Sequence, residues 1–195
     1  KEKTELKKDL VLKKLKLILE DSSIKKVGQN IKYDYIIFKN QGIEISPVED
    51  TMLLSYTLDA GNNRHNMDTL SELHLGHKTI TYKDVVGTGK KQLNFSAVDL
   101  KTATEYAAED ADVTLRLYEI LSERVSEEKL EKIYEVFEKP MIKILSKLET
   151  NGIKVDDTYL KKLSKKFEER LIKIEKEIYK VSGKKFNIGS PKQLG

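Results

Sequence analysis

The stretch IKKVGQNIKYDYIIFKNQG, Ile24 to Gly42, changes its local character twice within a few turns of chain. Ile24 to Val27 predicts a short strand, Gly28-Gln29-Asn30 turns the chain, and Asn30 is placed to cap a helix that ends before Gly42. A second strand is expected directly afterwards, over Ile43 to Val48. Strand, turn, helix and strand in succession indicate an α/β region. Within it Asp34 has Ile31 and Ile37 at helical spacing, so a carboxylate lies beside an apolar face.

Outward from this stretch the pattern becomes helical. Leu6, Leu10, Leu15 and Ile18 predict a surface helix over residues 5 to 20. Asp50 is a cap for a helix through Leu58, after which Gly61-Asn62-Asn63 breaks the chain. Short helices are expected over 67 to 75 and 81 to 86, and Asp99 caps a long one running to about Val125. Ala103, Ala107, Asp110 and Thr114 share one face of that helix, and their small size permits close packing. From Glu127 onward strand signals nearly vanish. A helix over 127 to 151 should be kinked or split by Pro140. Leu160, Leu163, Phe167, Leu171, Ile174, Ile178 and Val181 then form the seam of a long packed helix ending at Gly183. The pattern therefore predicts a mixed α/β domain over residues 1 to 127 and an all-helical segment over 128 to 195.

Composition narrows the function classes. Charged residues make up 35% against 38% hydrophobic, which suits folded helices with solvated faces rather than a disordered polymer. No run of about 18 apolar residues is present, and no leader pattern opens the sequence, so a soluble protein of the cytoplasm is expected. Cysteine is absent, which excludes thiolate chemistry and leaves oxygen or imidazole to hold any metal. The net charge is only +4, but 11 Lys/Arg against 6 Asp/Glu fall within residues 156 to 195. That excess could follow a phosphate backbone, or it could be a solvated helix face.

Tyr106 and Asp110 are four apart on the long helix, which puts a phenol one turn from a carboxylate. With Asp34 they suggest a site for a hard divalent cation held by oxygen ligands, where a bound ion would serve phosphodiester hydrolysis. By spacing alone such residues more often cap helices or form salt bridges. Gly87-Thr88-Gly89-Lys90 fails as a phosphate loop, because Asp84 stands where the first Gly is required and Lys91 where Ser or Thr is. His65, His74 and His77 lack an evident fourth zinc ligand and are expected to be surface or capping residues. Glu109 and Asp112 read as a solvated helix edge.

Val27-Gly28-Gln29-Asn30-Ile31-Lys32-Tyr33-Asp34 and Tyr106-Ala107-Ala108-Glu109-Asp110-Ala111-Asp112 closely resemble the second and third exonuclease motifs of family A DNA polymerases. Between them Asp50 to Leu53, Arg64 to Leu70 and His77 to Tyr82 resemble the same family in the same order. Beyond them Leu148 to Asp156 and Phe186 to Leu194 resemble the segment that opens its polymerase domain. The match covers nearly the whole chain. It implies a ribonuclease H-like 3′→5′ exonuclease domain lacking its first strands, followed by the first helices of a polymerase domain.

Residue by residue, the resemblance makes Asp34 and Asp110 metal-coordinating carboxylates and Tyr106 the hydroxyl that positions the attacking water. Asn30, Tyr33, Arg64 and Tyr82 would contact the single-stranded 3′ end, the aromatic rings by stacking and the arginine by holding a phosphate. The family often carries Phe at the position of Tyr82, a change that keeps the stacking surface. Its first motif, Asp-x-Glu, would lie before Lys1, so the chain is expected to be a piece of a longer protein, to bind Mg²⁺ (or Mn²⁺ or Zn²⁺) weakly or not at all, and to be inactive alone. The implied parent is a monomeric, nucleoid-associated bacterial polymerase that proofreads during replication and repair and binds duplex primer-template through its polymerase domain, with the lysines from Lys161 to Lys185 facing phosphates. Two other readings are a non-catalytic scaffold of the same fold and an RNA-trimming exonuclease of the same superfamily. The segment after residue 140 argues against the latter.

Overall fold

The computed structural model describes residues 6 to 195, so the expected start of the first helix at residue 5 lies outside the described residues. Two compact units follow one another, the first extending to Asn151 and the second beginning at Gly152. The change from mixed to helical pattern near residue 127 falls inside the first unit, whose packing includes the helices that follow it.

In the first unit, α1 (Lys8–Leu19) leads into β1 (Lys26–Gly28), α2 (Lys32–Lys39), β2 (Val48–Asp50) and α3 (Thr51–Asp59). The strands pair in parallel, Lys26 opposite Val48 and Gly28 opposite Asp50. α2 is thus the crossover of a strand-helix-strand unit. The strand expected over Ile43 to Val48 forms only at its last residue, since Pro47 has no N–H to give a ladder. Pro47 instead accepts a bond from the Lys26 N–H through its carbonyl, while Ile43 and Ile45 are buried as loop residues.

Asp50 governs both helices around the sheet. Its carboxylate accepts from Met52 and Leu53 N–H at the start of α3, at 2.9 and 3.4 Å. The same group accepts from Asn30 and Ile31 N–H, at 3.1 and 2.9 Å, at the start of α2. The expectation that Asn30 caps α2 is therefore corrected: Ile31 is the cap residue, no side chain caps it locally, and Asn30 occupies the left-handed region at φ 56°. Burial pushes the Asp50 carboxyl pKa up, with the four N–H groups acting in the opposite direction.

Gly28 closes β1 where Ile31 folds back against it. A Cβ there would lie 2.8 Å from both Cβ and Cγ1 of Ile31. Gly28→Ala is expected to destabilise the unit by about 1–3 kcal/mol through overpacking. Urea denaturation measures it, and an unchanged midpoint would mean that Ile31 can move aside freely.

α4 (Met67–Leu75) and α5 (Tyr82–Val86) follow, α5 opened by a reciprocal Thr81/Asp84 capping box. Two 3-10 turns, at Gly89–Lys91 and Phe95–Ala97, lead to α6 (Leu100–Glu127), capped by Asp99 through Thr102 N–H. Val113, Leu117, Leu121 and Val125 of α6 pack with Leu54, Leu70 and Tyr134 into the larger core cluster. A second cluster joins Ile31, Tyr35, Ile45, Val48 and Ile142.

Pro140 does interrupt the next helix, and the disturbance falls just before it. α7 (Glu131–Ile133) passes into one π turn, Tyr134–Glu138, and then into α8 (Lys139–Asn151). A wider turn suits a proline that cannot donate to the preceding turn. Its by-product is a buried network: Tyr134 donates to Glu49 at 2.9 Å, Lys139 donates to the other Glu49 oxygen at 2.9 Å, and Asp50 N–H donates to the Tyr134 hydroxyl at 3.1 Å.

The second unit is α9 (Asp157–Ser182) with a short tail that ends in α10 (Pro191–Leu194). Asp156 caps α9 through Tyr159 N–H, and Gly183 ends it in the left-handed region. Tyr179 packs edge-on to Phe186 at 6.0 Å and donates to its carbonyl, which folds the tail back. No residue of α9 is buried, so the expected seam is present in sequence order but is not a packed one: Leu171 is 66% and Val181 89% exposed.

Candidate functional site

α2 and α6 face each other across an open cleft of about 660 Å³. Asp34, from the first turn of α2, and Asp110, from the middle of α6, both line it, with Gly28, Ala107 and Thr114 among the other lining residues. The small residues of α6 were expected to permit close packing; Ala107 and Thr114 instead line open space here. Asp34 reaches it because Asp50 fixes the start of α2, and Asp110 because the larger core fixes the turns of α6 beyond it.

The two carboxylates share one electrostatic condition. Asp34 is accessible to solvent yet sits in a concavity, and loss of hydration raises its pKa above the ordinary carboxylate value, opposed by its own N–H. Asp110 is raised first by burial and then by the charges of Glu109 and Asp68, with the nearby Tyr106 hydroxyl opposing. Oδ1 of Asp110 is buried with no hydrogen-bond partner among the described residues, so the Tyr106 hydroxyl lies beside the carboxyl without a well-formed bond to that oxygen. Asp110 lines the cleft, and a buried carboxylate oxygen without a partner is the kind of donor that a cation can satisfy. The Tyr106 hydroxyl is pushed up to about 12, mainly by burial and then by the Asp110 charge, and stays protonated at neutral pH.

Tyr106 itself does not line the cleft. It lies one turn back, its ring 6.3 Å from that of Tyr82. Tyr82 is 48% exposed and Tyr33 66%, so both rings reach solvent. Arg64 and Asn30 are exposed. Their segments are tied together, because Gln29 donates to the His65 carbonyl at 2.7 Å and accepts from Thr51. The structure thus joins Asp34 with Asp110 across the cleft, Tyr106 with Tyr82, and the Arg64 segment with the turn before α2. Tyr33 makes no side-chain hydrogen bond among the described residues.

Three contributors were not foreseen. Glu109 is no solvated edge: it accepts from Ile80 N–H at 2.6 Å and pairs with His77 Nε2 at 2.8 Å, anchoring the segment that carries Tyr82 to α6. Asp112 is exposed, as expected, and faces Arg116. Phe95, in a turn with no periodicity to mark it, stacks on Tyr82 at 6.2 Å and meets Tyr106 edge-on at 6.1 Å. Asp68, held by Thr79, adds negative charge behind Asp110. The three histidines stay apart: His65 bonds Ser55, His77 bonds Glu109, and no group of three or more metal-ligating side chains converges among the described residues. No helix among them is long and apolar enough to cross a membrane.

A family model described as 3′-5′ exonuclease matches residues 2–126. The chain is 51% identical over 184 residues to a DNA polymerase I of Rhizobium leguminosarum, covering 94% of the chain and 18% of that protein. It is 42% identical over 195 residues to the DNA polymerase I of Pseudomonas aeruginosa, covering 98% and 21%. The chain therefore spans about a fifth of the length of these relatives. Its fold is similar to that of the POL domain of Pol1 from M. smegmatis, solved with DNA primer-template and dNTP, at a TM-score of 0.70 and 21% identity over 98% of the chain and 30% of that one. It is also similar to Brucella melitensis NrnC, at a TM-score of 0.59 and 19% identity over 74% and 68%.

Proposed function

This chain belongs to the 3′-5′ exonuclease family found in its DNA polymerase I relatives, and from that premise we propose that it carries the proofreading site of a bacterial DNA polymerase. The reaction is hydrolysis of the last phosphodiester at a single-stranded 3′ end, releasing a deoxynucleoside monophosphate. One observation carries the reading: the carboxylates of the two resembling motifs, Asp34 and Asp110, line the same cleft, and Asp110 keeps a buried oxygen without a partner.

Hard oxygen donors of this kind fit Mg²⁺, Mn²⁺ or Zn²⁺, which Asp34 and Asp110 would hold. Held by these two carboxylates, a divalent ion would supply activation of the attacking water and offset charge on the leaving oxygen. Two carboxylates alone make a weak set, so these 195 residues are expected to bind a metal weakly and to release little nucleotide by themselves. The Tyr106 hydroxyl, protonated at neutral pH, holds the water by donating or accepting a hydrogen bond beside Asp110. Tyr33 and Tyr82 stack on unpaired bases without reading sequence, Arg64 holds a phosphate, and the exposed Asn30 side chain is free to meet the strand.

The finer architecture we assign on the same basis is a ribonuclease H-like domain over residues 1 to 127 and the opening helices of a polymerase domain over 128 to 195. The parent is a cytoplasmic, nucleoid-bound monomer whose polymerase domain takes duplex primer-template. The test is direct: the parent polymerase, given a single-stranded oligonucleotide and Mg²⁺ without dNTP, is expected to release monophosphates from the 3′ end. Binding of the oligonucleotide without any release would replace this reading with that of a non-catalytic scaffold.

A further inference from the structure

The rings of Tyr82, Phe95 and Tyr106 form a closed triangle, with centroids 6.2, 6.1 and 6.3 Å apart. Tyr82 and Phe95 lie nearly parallel, at 19°, and Tyr106 meets each of them at 60°. Each ring stands on a separately anchored segment. Tyr82 opens α5 behind the Thr81/Asp84 capping box. Phe95 opens a 3-10 turn capped by Asn94, and the Leu93 N–H just before it donates to the Val86 carbonyl at 2.8 Å. Tyr106 stands on α6, to which Glu109 fastens the segment before α5. The aromatic surface held by these caps remains open to solvent, Phe95 at 37% and Tyr82 at 48%.

A tyrosine on a helix points its hydroxyl through two side-chain torsions, and only packing fixes them. Here two rings confine the Tyr106 ring, each by an edge-to-face contact of the kind aromatic quadrupoles favour. We propose that Phe95 is a positioning residue of the proposed nuclease site: stacked on Tyr82, it fixes the Tyr106 ring so that the phenol is held beside Asp110. The inference rests on the reading of the site as a proofreading exonuclease. Displacement of a reactive group by about 1 Å can cost on the order of 100-fold in rate, so partial loosening of this ring has a measurable consequence.

Phe95→Leu keeps apolar bulk and removes the ring. In the parent polymerase it is expected to lower kcat for 3′-terminal release from single-stranded DNA by about tenfold while changing KM much less, and Phe95→Tyr is expected to restore it. With Tyr106→Phe already in place, Phe95→Leu should have no further effect on kcat, because its action passes through the Tyr106 hydroxyl. A readout independent of activity accompanies this: in NMR spectra of the same protein, the Tyr106 ring protons should shift and the ring should flip faster in Phe95→Leu. Unchanged Tyr106 resonances, or an equal loss of kcat with and without the Tyr106 hydroxyl, would overturn the proposal. If the unsubstituted enzyme releases no nucleotide, the functional reading fails, and the Tyr106 resonances still decide whether Phe95 positions that ring.

Discussion

Replacing Asp50 by alanine is expected to cost the first unit about 4 kcal/mol, enough to lower its Tm by roughly 10 °C. The size follows from the number of donors left behind. One carboxylate accepts from two N–H groups at the start of α3 and from two more at the turn into α2. Losing an ordinary N-cap costs about 1–2 kcal/mol, and here two helix starts depend on one side chain that is 1% exposed, where water cannot easily replace it. Asp50→Asn keeps one acceptor oxygen and should lose about half as much. Because Asp34 stands in the first turn of α2, Asp50→Ala should also loosen the cleft, seen as faster amide exchange over Ile31 to Tyr35 than elsewhere in the unit. An unfolding free energy from urea titration within about 1 kcal/mol of that of the unsubstituted chain would refute this account of how α2 is held.

The Asp50 case also marks where local reading of the sequence stops. Its role at α3 was legible, because a cap acts two or three residues away and leaves a pattern in order. Its role at α2 was not, since the donors lie about twenty residues upstream and Asn30 offered a nearer candidate. The same division runs through the fold. Asp99 announced the long helix α6, whereas the small residues on one of its faces, expected to permit close packing, line an open cleft instead. The strand over Ile43 to Val48 failed because apolar content predicts burial, and Ile43 and Ile45 are indeed buried, but in a loop that Pro47 keeps out of the ladder. The seam of α9 was real as a pattern and unpacked as structure, because periodicity shows which face is apolar and not whether anything covers it.

At the candidate site, the motif residues and their meeting at one place were expected from the resemblance, and the contacts that bring them there were not. That Asp34 and Asp110 line one cleft depends on the parallel β1–β2 pairing and on the packing of α6, both long-range. Phe95 and Glu109 escaped for the same reason. Each acts on a neighbour far away in sequence, Phe95 on Tyr82 and Tyr106, Glu109 on the Ile80 amide, and neither position carries a spacing that would show it.

The second large effect expected is a pair of opposite changes from one substitution, Asp110→Asn. Burial and the neighbouring acids raise the Asp110 pKa, and burial raises that of Asp34, so the folded metal-free chain favours their protonated forms. The sign follows. Below the unfolded carboxylate value, near 4, both states are protonated and neither group affects stability. Above the folded values both states are ionised and the full penalty for holding the charges applies, so their contribution to stability falls as pH rises through that window. The penalty is larger at neutral pH than at pH 4. Asp110→Asn removes one charge from it and is expected to raise the metal-free Tm by a few degrees, on the scale of about 1 kcal/mol recovered when a functional site is relaxed. The same change removes a ligand. In the parent polymerase it should lower 3′-end hydrolysis by on the order of 10³-fold or more, exceeding the loss of a single neutral hydrogen-bond donor to the transition state. It should likewise abolish the rise in Tm that Mn²⁺ gives, a rise worth about 1.4 kcal/mol at tenfold excess over Kd. Because the ligands must be ionised, that rise in the unsubstituted parent polymerase should fade as pH drops through the raised pKa values, at a higher pH than an ordinary carboxylate pair would show. Melting curves of both proteins from pH 4 to 8, with and without Mn²⁺, separate the cases: a metal-free variant that melts lower at pH 7, or one that keeps the full response to Mn²⁺, would mean that Asp110 is an ordinary structural carboxylate.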